Sequence, residues 1–140
     1  MVRIGIAALA CVAGLAAAAQ EGGGDDPPDN AEVLLTGRPA FALGDQPAKT
    51  YAACGDIRRM SEGLGNPTFR IDLSAVGELT SVRTDGALWY LQMCEDVKLL
   101  CVTYQSNGMK AGDRVYFRGG YTRANADHAL LDPCLASRKS

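Results

Sequence analysis

The residues whose type and number point most directly to chemistry are the cysteines. Of the five in the sequence, Cys11 lies in an apolar N-terminal stretch with the pattern of a cleaved export signal, and four remain beyond it: Cys54, Cys94, Cys101 and Cys134. An even number of cysteines in a small exported chain is typical of two disulfides, which form in oxidising compartments. The paired short spacings of a four-cysteine zinc site are missing. A Cys-x-x-Cys motif, as in thioredoxin-like redox centres, is also missing. We therefore expect two structural disulfides.

Aromatic and basic side chains in the second half of the chain suggest a binding surface. The candidate ligand-binding residues are four tyrosines, expected to be exposed, and one arginine: Tyr90, Tyr104, Tyr116, Arg118 and Tyr121. In a regular strand Tyr116 and Arg118 point the same way, and a bulge at Gly119-Gly120 would bring Tyr121 toward them. Tyrosine rings stack on bases or sugars, and arginine pairs with phosphate. The alternative is that these side chains only solvate a sheet.

The first nineteen residues have the pattern of a secretory signal peptide. Residues 1–3 form a basic start, residues 4–18 are apolar or small, and residues 17–19 offer an Ala-x-Ala cleavage site. The apolar run is short for a membrane span. We expect cleavage after Ala19 and a periplasmic or secreted protein. A lipoprotein signal at Cys11 is the alternative, but the leucine usual three residues before a lipidated cysteine is absent.

Residues 20–30 are expected to form a disordered linker. They carry four acidic residues and no large apolar residue, so burial cannot offset the entropy of ordering them. Loss of Arg3 with the signal would change the formal charge from −2 to about −3, which is no global footprint of nucleic-acid binding. The remaining residues, 31–140, suffice for one domain.

Alternation of apolar and polar residues predicts five strands in that domain. A bulge at 75–77 is expected in the first strand, an Asp-Gly hairpin turn at 84–87 after it, and a polar turn at 123–127 before the last. The predicted strands cover residues 69–83, 88–94, 99–104, 112–121 and 129–134. Ahead of them, apolar residues at spacings of three and four predict a helix over residues 50–64. The residues of this apolar face are Tyr51, Cys54, Ile57, Met60 and Leu64. Residues 31–49 fit either edge strands or packed loop.

This order of strands, with Gly-Asp-x-Val-x-x-x-Gly opening the fourth at Gly112, resembles the OB-fold found in small exported bacterial domains. The resemblance covers residues 69–134 and implies a mainly β, five-stranded Greek-key barrel with one N-terminal α-helix. The loop at 105–111 is too short for the helix often found between the third and fourth strands. A β-sandwich or an α+β sheet is the alternative fold. OB-folds bind oligonucleotides, oligosaccharides or proteins, so the resemblance implies a binding module of undetermined ligand.

The register of the second turn suggests a disulfide pairing. If residues 96–99 connect the second and third strands, Cys94 faces Cys101 across the pair, within disulfide reach. Cys54 and Cys134 then pair with each other. All three connectivities of four cysteines remain formally possible.

Two further functions are alternatives. Secreted nucleases resembling staphylococcal nuclease use carboxylates and arginines on an OB barrel, and residues of these types occur here at Asp72, Glu78, Arg83, Asp85 and Arg118. The later helices of that family are missing, and the lone histidine, His128, has no partner pattern for Ser-His-Asp catalysis. We expect no catalytic residue, cofactor or metal. The other alternative is a protein-interaction or structural envelope module or a secreted inhibitor similar to the netrin-like protease inhibitors, although their N-terminal cysteine is absent.

Overall fold

The computed structural model describes residues 26–44 and 46–138, and the fold is built around one long, bent strand. The predicted signal peptide and most of the linker lie outside the described residues. Two short helices precede or separate the first strands, α1 at Ala31–Leu34 and α2 at Ile57–Ser61. The strands are β1 Phe41–Leu43, β2 Ala52–Ala53, β3 Ile71–Thr84, β4 Trp89–Met93, β5 Lys98–Thr103, β6 Arg114–Asn125 and β7 His128–Arg138.

Five of these strands close into a barrel. β3 pairs with β4, β4 with β5, β5 with β7, β7 with β6, and β6 returns to β3. Each of these five pairings is antiparallel except that of β5 with β7, which is parallel. This is the strand order of a five-stranded Greek-key barrel, so the predicted mainly β, OB-like fold is confirmed. β1 and β2 add to the edge of β3, which gives a sheet of seven strands.

The bend of β3 occurs where the strand changes partner. Its first half pairs with β6 without interruption, and its second half pairs with β4. The register shifts between Leu79 and Ser81, so the bulge predicted at 75–77 was placed too early. A bulge bends a strand, and this bend lets β3 take part in both halves of the closed barrel.

A second irregularity, predicted at Gly119-Gly120, is confirmed. The register between β6 and β7 shifts between Gly119 and Tyr121. A Cβ atom on Gly119 would lie 2.3 Å from the backbone oxygen of Pro133, so only glycine permits this approach of the two strands. The polar turn beyond it is shorter than predicted, because β6 continues to Asn125 and β7 begins at His128.

The predicted helix over residues 50–64 is wrong in length. Residues 52–53 form β2, residues 54–56 form a single 3-10 turn, and only Ile57–Ser61 is α-helical. Residues at the start of the segment pair with the backbone of β3 and so form a strand. Gly63, at a φ of 72°, follows shortly after the end of the helix. The predicted apolar face survives in Ile57, Met60 and Leu64, which are buried.

Polar contacts hold α2 against the barrel. Arg58 donates to the carboxylate of Asp96 at 2.9 Å, in the β4–β5 turn, and to Asp127 at 3.2 Å, in the β6–β7 turn. Arg38 donates to the carbonyl oxygens of Leu34 at 2.8 Å and Met60 at 2.7 Å, which links α1 to α2. In the ambiguous segment 31–49, residues 31–34 form α1 and residues 41–43 form β1, an edge strand that packs on the core through Phe41 and Leu43.

Both disulfides are present, but the predicted pairing is wrong. Cys54 bonds to Cys94, and Cys101 bonds to Cys134. The register of β4 and β5 places Leu91, not Cys94, opposite Cys101. Cys94 follows the last residue of β4 with a φ of 70°, a left-handed conformation that ends the strand. It bonds to Cys54 of the 3-10 turn, and Cys101 bonds to β7 inside the barrel.

Candidate ligand-binding face

The predicted tyrosines do not share one surface. Tyr90 lies on the outer side of β4, opposite Arg83 of β3, whereas Tyr116 lies on β6, opposite Val76. These positions are seven residues apart along β3, or about 23 Å at the usual rise of a strand. Tyr104 follows the end of β5 and is 78% exposed. Tyr90 and Tyr116 therefore belong to different parts of the barrel surface, whereas Tyr104 lies two residues beyond Val102, the register partner of Tyr90 on β5.

Tyr121 is buried, so its predicted exposure is wrong. The register shift at the glycine pair turns it inward, where only 7% of the residue is exposed. Its ring packs edge-on against Phe41, with centroids 5.0 Å apart. Its hydroxyl has no hydrogen-bond partner among the described residues. Tyr121 thus belongs to the core and does not lie on the face that was expected to contain it together with Tyr116 and Arg118.

A different tyrosine takes its place beside Tyr116. Tyr51, which precedes β2, packs edge-on against Tyr116 with ring centroids 4.8 Å apart. Tyr51 is 47% exposed and Tyr116 is half-buried. We call these two residues the ring pair. Sequence reasoning placed Tyr51 on the apolar side of a helix, and no local signal indicated a contact across 65 residues.

Arg118 lies on the same side of β6 as Tyr116. Val115 and Phe117 are fully buried, so the alternating residues Tyr116 and Arg118 face outward. Arg118 donates one hydrogen bond, to the carbonyl oxygen of Gln46 at 3.1 Å. No carboxylate of the described residues lies within ion-pair distance of it. Its remaining N–H donors have no partner within the described part of the chain.

A cleft of about 430 Å³ lies beside Arg118, and we call it the arginine cleft. Its walls include Arg70, Asp72, Arg118, Pro133 and Leu135. Leu135 pairs with Arg118 across β6 and β7 and is 76% exposed. The cleft therefore combines two guanidinium groups with an exposed apolar wall.

Arg70 is held in the arginine cleft by a buried acid. Its Nε donates to Asp72 at 2.7 Å and its Nη2 at 3.3 Å, and this hydrogen bonding raises the pKa of Arg70 above its ordinary value. The Asp72 side chain is only 6% exposed. A Cβ on Gly44 would lie 2.7 Å from Cδ of Arg70, so the glycine gives the arginine stem its room.

A second cleft, of about 570 Å³, adjoins the first and shares Arg70 with it. We call it the acidic cleft, because Asp26 and Asp132 line it together with Thr68 and Thr122. All four of these residues are exposed. The two clefts therefore differ in charge on either side of one arginine.

Hydrogen bonds in the β3–β4 turn lower the pKa of one carboxyl group, that of Asp85. Asp85 accepts hydrogen bonds from the backbone N–H groups of Leu88 at 2.8 Å and Ala87 at 2.9 Å, and from the Tyr90 hydroxyl at 2.7 Å. These bonds, that from Leu88 first, lower the pKa of Asp85 to about 2. The hydrogen bond from the Tyr90 hydroxyl to Asp85 also raises the pKa of Tyr90. Tyr90 is thereby engaged in holding the hairpin turn.

The three carboxylates of the nuclease alternative lie in separate places, although one of them, Asp72, shares the arginine cleft with Arg118. Asp72 is paired with Arg70, Asp85 holds the hairpin turn, and Glu78 is paired in register with Arg114 on β6. The ring nitrogen Nδ1 of His128 lies 3.0 Å from the side-chain oxygen Oδ1 of Asn125. Within residues 26–44 and 46–138, no three side chains of His, Cys, Asp or Glu lie together as metal ligands would.

The chain shows little similarity to known proteins. No family profile matches the sequence, and no curated protein matches it. Among solved structures, this chain is similar to a chain of the Stn1–Ten1 complex of S. pombe, at 14% sequence identity and a TM-score of 0.36. The similarity covers 51% of this chain and 60% of that one. Among the described helices, none has the length and apolar character to cross a membrane.

Proposed function

We propose that this chain is an exported, non-catalytic binding module that takes its ligand on the ring pair and Arg118. The observation that carries the proposal is the contact of Tyr51 with Tyr116, at 4.8 Å, on a half-exposed surface beside an outward-facing arginine. Tyr51 and Tyr116 come from distant parts of the sequence. An aromatic pair next to a cation suits a ligand with ring faces and polar groups, such as an oligosaccharide or a single-stranded oligonucleotide.

The edge-on packing of the two rings favours a binding role. Each tyrosine has few rotatable bonds, and contact with the second ring restricts it further, so little conformational entropy is lost when a ligand binds. The hydrogen bond from Arg118 to Gln46 links the arginine to the segment that leads to Tyr51. The ring pair and Arg118 are thus preorganised by contacts within the chain.

Export is supported by the two disulfides, which are compatible with an extracellular or periplasmic protein. The apolar run at residues 4–18 supports a signal peptide. Intact mass of protein purified from the cell envelope is expected to correspond to a chain that begins at Gln20. An acylated chain that begins at Cys11 would contradict this and make the protein a lipoprotein.

Binding is tested by titrating a ligand panel with the full chain at low salt. The panel contains labelled single-stranded oligonucleotides and neutral and acidic oligosaccharides, and fluorescence anisotropy is the readout. Loss of a stacking ring costs about 1–3 kcal/mol per base, so Tyr116→Ala is expected to weaken binding roughly five- to hundredfold. Tyr104→Ala, which removes an exposed tyrosine elsewhere, is the matched control. Equal affinities of wild type and Tyr116→Ala would refute the proposed face.

A protein ligand is the second candidate, and the exposure of Leu135 favours it. Leu135 is 76% exposed and pairs with Arg118, close to Tyr116. Tyrosine and arginine dominate the binding energy of many protein interfaces. A partner protein captured from periplasmic extract by the wild type, and lost with Tyr116→Ala, would support this candidate over a small ligand. Capture that is equal for both proteins would refute it.

A further inference from the structure

We propose that the arginine cleft binds the carboxylate of an acidic sugar unit, so that the ligand is a uronate-containing oligosaccharide. This inference rests on the proposed function, because the cleft extends the surface formed by the ring pair and Arg118. It names the class of ligand and the group that each part of the surface recognises.

The charge of the arginine cleft fits one carboxylate. Asp72 neutralises one of the two arginines, so Arg70, Arg118 and Asp72 together leave one positive charge. Arg70 is fixed by two hydrogen bonds to Asp72 through Nε and Nη2, which leaves Nη1 for a ligand. Guanidinium groups bind carboxylates with paired hydrogen bonds, and a guanidinium held in place loses less entropy on binding.

The acidic cleft favours a ligand with one negative charge over a polyanion. A phosphodiester chain that passes from the arginine cleft into the neighbouring cleft would approach Asp26 and Asp132. Like charges in such positions disfavour binding, and the formal charge of the whole chain is already −2. Hydroxyl groups, in contrast, donate hydrogen bonds to carboxylates and exchange them with Thr68 and Thr122. A sugar chain with one carboxylate at the arginines and hydroxyls in the acidic cleft satisfies both surfaces.

The apolar groups near the arginines complete the match to a sugar ring. Leu135 forms an exposed wall of the arginine cleft, and Tyr116 lies two residues before Arg118 on the same side of β6. Sugar rings present C–H faces to aromatic and aliphatic side chains while their polar groups point sideways. We infer that the ring pair contacts one sugar unit and that the arginine cleft contacts the carboxylate of a neighbouring unit.

The ligand test compares tetragalacturonate with its fully methyl-esterified form, which has the same rings without the charges. Hydrogen bonds to charged groups contribute about 1.5–3 kcal/mol, so wild-type protein is expected to bind the acid roughly ten- to hundredfold more tightly than the ester in calorimetry. Equal affinity for acid and ester would overturn the inference and leave the proposed function intact. Tighter binding of an oligothymidylate of similar length would also overturn it. If no member of the wider panel binds, the proposed function itself fails.

Two pairs of variants locate the carboxylate. Arg118→Gln is expected to remove the preference for acid over ester, whereas Arg114→Gln, on the same strand but outside the cleft, is expected to keep it. Leu135→Asp places a negative charge at the exposed wall of the arginine cleft. It is expected to bind tetragalacturonate at least tenfold more weakly than Leu135→Asn, whose side chain has the same shape without the charge. Because position 135 is on the surface, this pair tests the site without disturbing the core. A preference for acid that survives in both Arg118→Gln and Leu135→Asp would refute the assignment.

Discussion

Removal of the two disulfides should destabilise the barrel by similar and additive amounts. The bridges close loops of 40 and 33 residues, Cys54 to Cys94 and Cys101 to Cys134. In the chain-entropy relation, loops of these lengths each stabilise the folded state by about 4 kcal/mol at 25 °C. The two loops enclose separate stretches of chain, so one bridge does not shorten the loop that the other closes. Loss of both should therefore cost about 7–8 kcal/mol.

That sum is comparable to the whole stability of a small domain, about 5–15 kcal/mol. We expect the variants Cys54→Ser with Cys94→Ser, and Cys101→Ser with Cys134→Ser, to fold with lowered urea midpoints, and the fourfold variant to be largely unfolded. Urea denaturation followed by tryptophan fluorescence gives the free energies of unfolding. Peptide mapping without reduction would first verify the two pairings. Losses below about 1 kcal/mol in both double variants, or a fourfold variant no worse than either double, would refute the reasoning.

The remaining predictions concern the bulge and the hairpin turn. Gly119→Ala should destabilise the fold by about 1–3 kcal/mol in urea denaturation, because its Cβ would overlap a backbone oxygen, whereas Gly55→Ala, with no atom within 4 Å of the added Cβ, should change stability by less than about 1 kcal/mol. Tyr90→Phe should raise the pKa of Asp85 from about 2 toward its ordinary value, without reaching it, since the bonds from Leu88 and Ala87 remain; an NMR titration measures this. Because the folded-state pKa of Asp85 is lowered, its contribution to stability is present above about pH 4 and is lost as the pH falls toward 2, which thermal unfolding against pH would detect.

The barrel could be predicted from the sequence because its signals are local. Alternation in the strands, the Asp85-Gly86 turn and the glycine pair at 119–120 each act over a few residues. Their order along the chain then left few ways to close a sheet. The site depended instead on contacts between distant segments, and the prediction recovered only Tyr116 and Arg118 on a common face.

The errors have physical causes that the sequence does not display. The register of β4 and β5 depends on where β4 ends, and it ends because Cys94 adopts a left-handed conformation that cysteine seldom has. The helical spacing of Tyr51 was real, but pairing of residues 52–53 with β3 overrode it. The inward turn of Tyr121 follows from the side on which the bulge places its extra residue. Each outcome was settled by tertiary packing, which local propensity does not determine.

Tyrosine-selective NMR of the full chain during ligand titration tests the central claim most directly. The rings of Tyr51 and Tyr116 are expected to shift together, with the same affinity as the anisotropy titration, because the ligand lies on both. The rings of Tyr90 and Tyr104, on other parts of the surface, should remain unchanged. Shifts at Tyr90 or Tyr104 with silent signals from Tyr51 and Tyr116 would contradict the proposed face and move the binding surface to β4 and the end of β5.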